Sequence, residues 1–83
     1  MRVIYAPRAE RKLLELTLVA RERIVDKIDF YASQPSPLSF AKHLAGYDAY
    51  RFRIGNYRAI VEVENETLIV LLIVKREGAY RNL

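Results

Sequence analysis

Polar and apolar positions change their period along the chain, and each change marks an element. Val3-Ile4-Tyr5 is a β-branched and aromatic run closed by Pro7, which predicts a first strand over roughly residues 2–6. Pro7 suits the opening turn of a helix, where its fixed φ fits and its missing N–H has no partner to lose. Beyond it Ala9, Leu13 and Leu16 recur at spacings of four and three between Arg8, Arg11, Lys12 and Glu15, a helical pattern. Thr17 interrupts that pattern and predicts the cap of a second helix. There Ala20, Ile24, Ile28 and Tyr31 form one apolar stripe opposite charges of both signs. The two helices make a hairpin with one buried side.

Gln34-Pro35-Ser36-Pro37-Leu38-Ser39 is the one cluster of breakers and ends the helical half. Phe40 to Gly46 shows no clear period. From Tyr47 the period becomes two, and Tyr50, Phe52 and Ile54 alternate with Arg51 and Arg53 as in a half-buried strand. Gly55-Asn56 is a turn dipeptide, so Tyr57 to Glu64 is the hairpin partner. Asn65-Glu66 makes a second tight turn. Thr67 to Val74 is almost wholly apolar and predicts a central strand covered on both faces. A polar and aromatic tail, residues 75–81, follows. The order β-α-α-β-β-β predicts an α+β fold, with the helical hairpin packed on a mainly antiparallel four-stranded sheet.

Composition narrows the chemistry. A length of 83 residues suits a single domain over 1–83, and a hydrophobic share of 52% supplies a core. With no Cys and a single histidine, His43, disulfides and thiolate or imidazole metal sites are excluded, and no cofactor is expected. The longest apolar run, Leu68 to Val74, is far short of the ~20 residues that cross a bilayer. No targeting signal is evident at the start, so a cytoplasmic protein is expected. The net charge of +4 and pI near 9.6 favour a polyanionic partner.

The sharpest feature is where that charge falls. Arg51 and Arg53 point away from the core side of their strand, and a two-residue turn at Gly55-Asn56 sets Arg53 opposite Arg58. Like charges facing each other on a sheet are destabilising unless an anion visits. Cationic strand positions commonly serve only to blunt aggregation. Here, however, all three positions are Arg, and no acid lies between Asp48 and Glu62. Arginine is the side chain suited to bidentate phosphate contact and to stacking on bases. Tyr80, beside Arg76 and Arg81, offers an aromatic platform for single-stranded RNA.

Other candidates read more simply. His43 in a loop reads as a solvated residue. Glu62 and Glu64 form the solvent side of their strand, where one could neighbour the arginines. Tyr5, Tyr31 and Tyr47 read as core or core-edge residues with the hydroxyl at water. Arg21, Glu22, Arg23, Asp26 and Lys27 read as a solvated helix face. No phosphate-binding glycine loop and no serine–histidine–acid set is present.

Leu44-Ala45-Gly46, followed by Tyr50-Arg51-Phe52-Arg53-Ile54-Gly55-Asn56-Tyr57-Arg58-Ala59-Ile60-Val61, resembles the signature hairpin of the RelE/ParE toxin superfamily. Val74-Lys75-Arg76-Glu77 with Tyr80-Arg81 resembles its basic last-strand end and tail. The resemblance covers nearly the whole chain and implies the toxin of a type II toxin–antitoxin pair. A monomeric toxin, cytoplasmic and bound by a cognate antitoxin in a larger assembly, is what it implies. In the RelE branch it further implies a ribosome-dependent endoribonuclease cutting mRNA in the A site, where the 2′-hydroxyl attacks the adjacent phosphate. The roles would fall on Arg58, Arg76, Tyr80 and Arg53 as catalytic residues, with Arg51, Lys75 and Arg81 binding RNA. Well-studied members often carry Lys or Glu where Arg51 and Arg53 stand. Arginine stays protonated and is a poor general base, which leaves Tyr80, Glu77 or a ribosomal RNA group for that step. Two further readings share the fold: a ParE-like inhibitor of DNA gyrase, and a degenerate non-toxic member that binds an antitoxin.

Overall fold

The computed structural model describes residues 1–75. β1 (Arg2–Tyr5) stops one residue earlier than its sequence pattern suggests: the Ala6 N–H makes the last ladder bond, to the Val70 carbonyl at 2.8 Å, but the Ala6 carbonyl already accepts the Glu10 N–H of the following helix at 2.9 Å. Pro7 then opens α1 (Pro7–Glu15), which buries Ala9 and Leu13. Thr17 caps α2 (Leu18–Ala32) as the sequence indicates, its Oγ1 accepting the Ala20 N–H at 3.2 Å. Arg21 belongs to no solvated face. Its Nε and Nη2 donate to the Leu13 and Leu16 carbonyls at 3.0 and 3.3 Å, satisfying groups that the end of α1 leaves open. That contact ties the two helices into their hairpin.

A short 3₁₀ turn over Pro37–Phe40 leads into β2 (Lys42–His43), β3 (Tyr50–Ile54), β4 (Tyr57–Glu64) and β5 (Thr67–Lys75). These form one α+β sheet of five strands in the order β1-β5-β4-β3-β2, where the sequence suggests four. The additional strand is β2, which pairs only Lys42 with Arg51 and His43 with Tyr50. Two residues are too few to show an alternation. His43 thus lies in an edge strand rather than a loop, exposed, with its ring centroid 5.0 Å from that of Tyr50. β1 runs parallel to β5, and every other pairing is antiparallel.

Both hairpins turn where the sequence places them. Gly55 takes φ of 58° and brings Ile54 opposite Tyr57; Asn65 and Glu66 take 51° and 56°. Such left-handed conformations match the right-handed twist of the flanking strands.

The helices cover one face of the sheet. Leu13, Ile24, Ile28 and Tyr31 meet Phe52, Val61, Leu68, Val70 and Ile73, all buried in one cluster. Tyr31 stacks on Phe52 with ring centroids 4.5 Å apart, and Phe40 stacks on the other side of Tyr31 at 5.0 Å.

The opposite face corrects one reading. Thr67 to Val74 looks like a strand covered on both sides, and β5 is indeed central, between β1 and β4. Among the described residues, however, no element lies over its outer side. Ile69, Leu71 and Leu72 are only half-buried there, and Val74 is exposed. A register shift between Ile60 and Val61 pairs Ile60 with Leu72 and Val61 with Val70, so Leu71 is an extra residue. The bulge turns both Leu71 and Leu72 toward the uncovered face.

Candidate nucleic-acid interface

The uncovered face carries the arginines. β3 and β4 pair Arg53 with Arg58 and Arg51 with Ile60, so all three guanidinium groups leave the sheet on the side away from the helices. Phe52 and Ile54, between them, are buried on the other side. Lys42 pairs with Arg51 across β2 and adds a fourth cation to the same face. Arg53 is exposed, while Arg51 and Arg58 are half-buried with their stems along the sheet. Arg53 and Arg58 are directly opposed in the register, and such pairs generally stand about 4.5–5.5 Å apart at Cβ.

The remaining expected residues divide. Lys75 pairs with Tyr57, which packs against the core, so its side chain leaves the sheet toward the helices and away from Arg58. Arg76, Glu77, Tyr80 and Arg81 lie outside the described residues. Glu62 does share the outer face, two residues beyond Ile60. With Asp48, Leu44, Tyr47, Leu71 and Leu72 it borders a mainly apolar hollow of about 390 Å³. The face is therefore polar in the directional sense: arginines toward the Gly55 turn, carboxylates toward the other end.

Three groups escape a sequence reading. Arg23 reaches from α2 to the β3–β4 turn, where its Nη1 would lie 3.8 Å from a Cβ placed on Gly55. Lys42 and Phe40 border a second hollow of about 390 Å³, together with Ser39, Ala41, Arg51 and Arg53. Arg23 is hidden in a helix of mixed charge, and Phe40 and Lys42 fall in the stretch with no period; no spacing rule would have joined them to the arginines. Lys27 is likewise engaged, its Nζ 5.5 and 5.6 Å from the ring centroids of Phe30 and Tyr31.

The tyrosines also depart from expectation. Tyr47 is 72% exposed rather than part of the core. The Tyr5 hydroxyl is buried instead of reaching water and has no hydrogen-bond partner among the described residues. Burial, with the Asp29 carboxylate adding to it, pushes the Tyr5 phenol up to about 12. Burial also raises that of Tyr31. Among the described residues no cluster of three His, Cys, Asp or Glu is placed to hold a metal ion, and no helix is long and apolar enough to cross a membrane.

Solved structures share this architecture. A chain of the RelBE2 toxin–antitoxin complex of Mycobacterium tuberculosis matches at 23% identity and a TM-score of 0.75, over 90% of each chain. The isolated E. coli RelE toxin matches at 19% identity and 0.75, over 99% of this chain and 98% of that one. A chain of the RelB–RelE complex from Methanococcus jannaschii matches at 26% and 0.68, over 96% and 98%. No curated protein matches the chain. The family model described as the ParE toxin of the type II toxin–antitoxin system parDE matches residues 3–80, nearly the full length. The arginine hairpin, the helical hairpin and the sheet order thus belong together: the chain is a member of the ParE toxin family of type II toxin–antitoxin systems, within the RelE/ParE superfamily.

Proposed function

We propose that this chain is a toxin that cleaves mRNA on the ribosome and is held inactive by a cognate antitoxin. The observation that carries this reading is the direct opposition of Arg53 and Arg58, with Arg51 beside them, on a face that no described element covers. Three guanidinium groups gathered on one face offer the planar forks that hold a phosphate bidentately. The chemistry is a transesterification. The ribose 2′-oxygen bonds to the adjacent phosphorus while the bond from phosphorus to the 5′-oxygen breaks. The products are a 2′,3′-cyclic phosphate and a 5′-hydroxyl. Arg58, with Arg76 from the tail, stabilises the charge that builds on the non-bridging oxygens. Arg51 and Arg53 hold the RNA backbone in line, Arg81 adds a contact to it, and Tyr80 stacks on the scissile nucleotide. The proton of the 2′-hydroxyl passes to Tyr80, Glu77 or a group of the ribosomal RNA, because arginine does not accept it. The leaving 5′-oxygen takes a proton in turn. An acidic antitoxin segment that folds on binding suits the same basic face; toxin–antitoxin complexes of the same fold support that partner.

Primer extension on a message translated in vitro tests the reading, with wild type beside Arg58→Ala. Discrete cuts that depend on translation are expected, falling about 100- to 1000-fold in the variant, the scale of losing one preorganised donor. The ParE description of the matching family favours a second reading, inhibition of DNA gyrase by binding. Uncut message together with blocked supercoiling would establish that reading in place of the first.

A further inference from the structure

We propose that the hollow beside the outer edge of β3 is a subsite for one nucleotide of a single strand, with the base stacked on Phe40 and its flanking phosphate held by Lys42, Arg51 and Arg53. The proposal deepens the RNA reading above and, for the identity of the strand as RNA, rests on it. Ser39, Phe40, Ala41, Lys42, Arg51 and Arg53 line a space of about 390 Å³. A stacked base with part of its sugar fits a hollow of that order.

The aromatic half of the site is already built. Phe52 is fully buried, Tyr31 lies over it at 4.5 Å and 20°, and Phe40 lies over Tyr31 at 5.0 Å and 27°. Phe30 meets Phe40 edge-on at 6.1 Å, fixing the ring from the side. The stack thus runs from the core to the surface and ends in a ring that is 46% exposed. Phe40 packs on the helix side and the cations leave the opposite side, yet all line one hollow, which therefore lies at the edge of β3 that β2 leaves open. There a ring ordered by the stack beneath it meets a base at little entropic cost.

The charged half adjoins it. Lys42 and Arg51 are cross-strand partners, and Arg53 stands two residues further along the same face. Two residues of strand span ~6.6–7 Å, close to the step between successive phosphates of a single strand. Arg53 also faces Arg58, so a strand that enters at Phe40 is led by a continuous row of cations to the Arg53–Arg58 pair. No carboxylate lines this hollow, in contrast to the apolar one bordered by Asp48 and Glu62. That difference favours a polyanion here over an amphipathic peptide. Stacking tolerates any base, so the subsite grips the strand without reading its sequence.

The test is the anisotropy of a fluorescein-labelled oligouridylate titrated with the full chain at fixed salt. It is repeated with oligomers in which one position at a time is an abasic spacer. One abasic position is expected to weaken binding to the wild type, and Phe40→Ala should weaken the intact oligomer by roughly 5- to 150-fold and abolish that positional effect. Phe40→Trp should restore both. Phe40→Leu keeps apolar bulk over Tyr31 but offers no ring, so it should fold as the wild type and still behave like Phe40→Ala. Lys42→Ala should weaken intact and abasic oligomers equally and lower the salt slope by about 0.7. Unchanged binding by Phe40→Leu overturns the proposal, as does a Phe40→Leu variant that loses only an acidic antitoxin peptide. Message cut by the wild type alongside unaltered binding by Phe40→Leu would sink the subsite and leave the cleavage reading standing. Phe40-dependent binding with uncut message would do the reverse.

Discussion

The two faces of the sheet are built from the same strands yet obey opposite rules. On the helix side Phe52, Val61, Leu68 and Val70 are all at 0% exposure, and each side chain meets another apolar one. On the outer side the alternating residues of the same strands are Arg51, Arg53, Arg58, Ile60 and Leu72, half-buried or exposed, and two of the arginines oppose each other. One face is arranged for stability. The other sets three arginines beside an apolar floor on a side that no described element covers. The sheet can carry both because the period of two separates them completely: a residue serves one face or the other, and the helix side supplies the stability that the outer side forgoes.

The largest expected effect comes from breaking the stable face at its centre. Phe52→Ala removes a fully buried ring and the base of the Tyr31–Phe40 stack, and should cost about 3–5 kcal/mol. For a chain of 83 residues that is much of the total stability. Urea denaturation followed by circular dichroism should show an unfolded or barely folded protein. A shift in midpoint worth under ~1 kcal/mol would mean the site relaxes around the cavity and the helix side is looser than its burial suggests.

A smaller effect tests a flaw in that same face. Tyr5 pairs with Val70 on the helix side and buries a hydroxyl that has no partner among the described residues. Tyr5→Phe should therefore stabilise the chain by about 1 kcal/mol, since the unsatisfied group goes and the shape stays. The pH dependence has a definite sign. The unfolded tyrosine loses its proton near 10.0 and the folded one at about 12, so the folded chain holds the proton more tightly. Stability from this group is whole below the unfolded value and drains away as pH rises from there toward the folded one. The difference in midpoint between Tyr5→Phe and wild type should widen above pH 10, and a constant difference across that range would show the hydroxyl reaching water.

Wherever periodicity spoke, the fold was legible. The Ala9–Leu13 and Ile24–Ile28–Tyr31 stripes are the buried sides of α1 and α2, Thr17 is a cap, and Gly55 sets the register that opposes Arg53 to Arg58. Each of these is a local rule with a local cause. What periodicity could not show is what depends on neighbours far along the chain. β2 exists only because Lys42 and His43 meet Arg51 and Tyr50. The apolar run of β5 reads as doubly covered because hydrophobicity does not record whether a second layer exists. Tyr5 and Tyr47 carry the same expectation yet depart from it in opposite ways, one burying its hydroxyl and the other standing exposed, since an aromatic in a strand and one in a loop carry the same letter. Of the site, the three hairpin arginines were readable from spacing. Phe40 and Lys42 were not, because a 3₁₀ turn and a two-residue edge strand bring them in from a stretch with no period.

The smallest expected effect is the one that addresses the comparison most directly. If the outer face forgoes stability in favour of anion binding, relieving the Arg53–Arg58 opposition should stabilise the protein and weaken the toxin together. Arg53 is exposed, so its replacement leaves the core untouched. Arg53→Gln removes one of two directly opposed like charges and should raise stability by about 0.2–1 kcal/mol; Arg53→Glu sets opposite charges across the pair and should raise it further. Both gains should shrink in high salt, where exposed charges are screened. Toxicity in growing cells should fall in the same order, with Glu below Gln and Gln below wild type. Urea midpoints at low and high salt, read beside growth curves, give both quantities from the same two variants. Should Arg53→Gln lose stability as well as toxicity, Arg53 would be a structural residue, and the division of labour between the faces would fail at the pair that defines it.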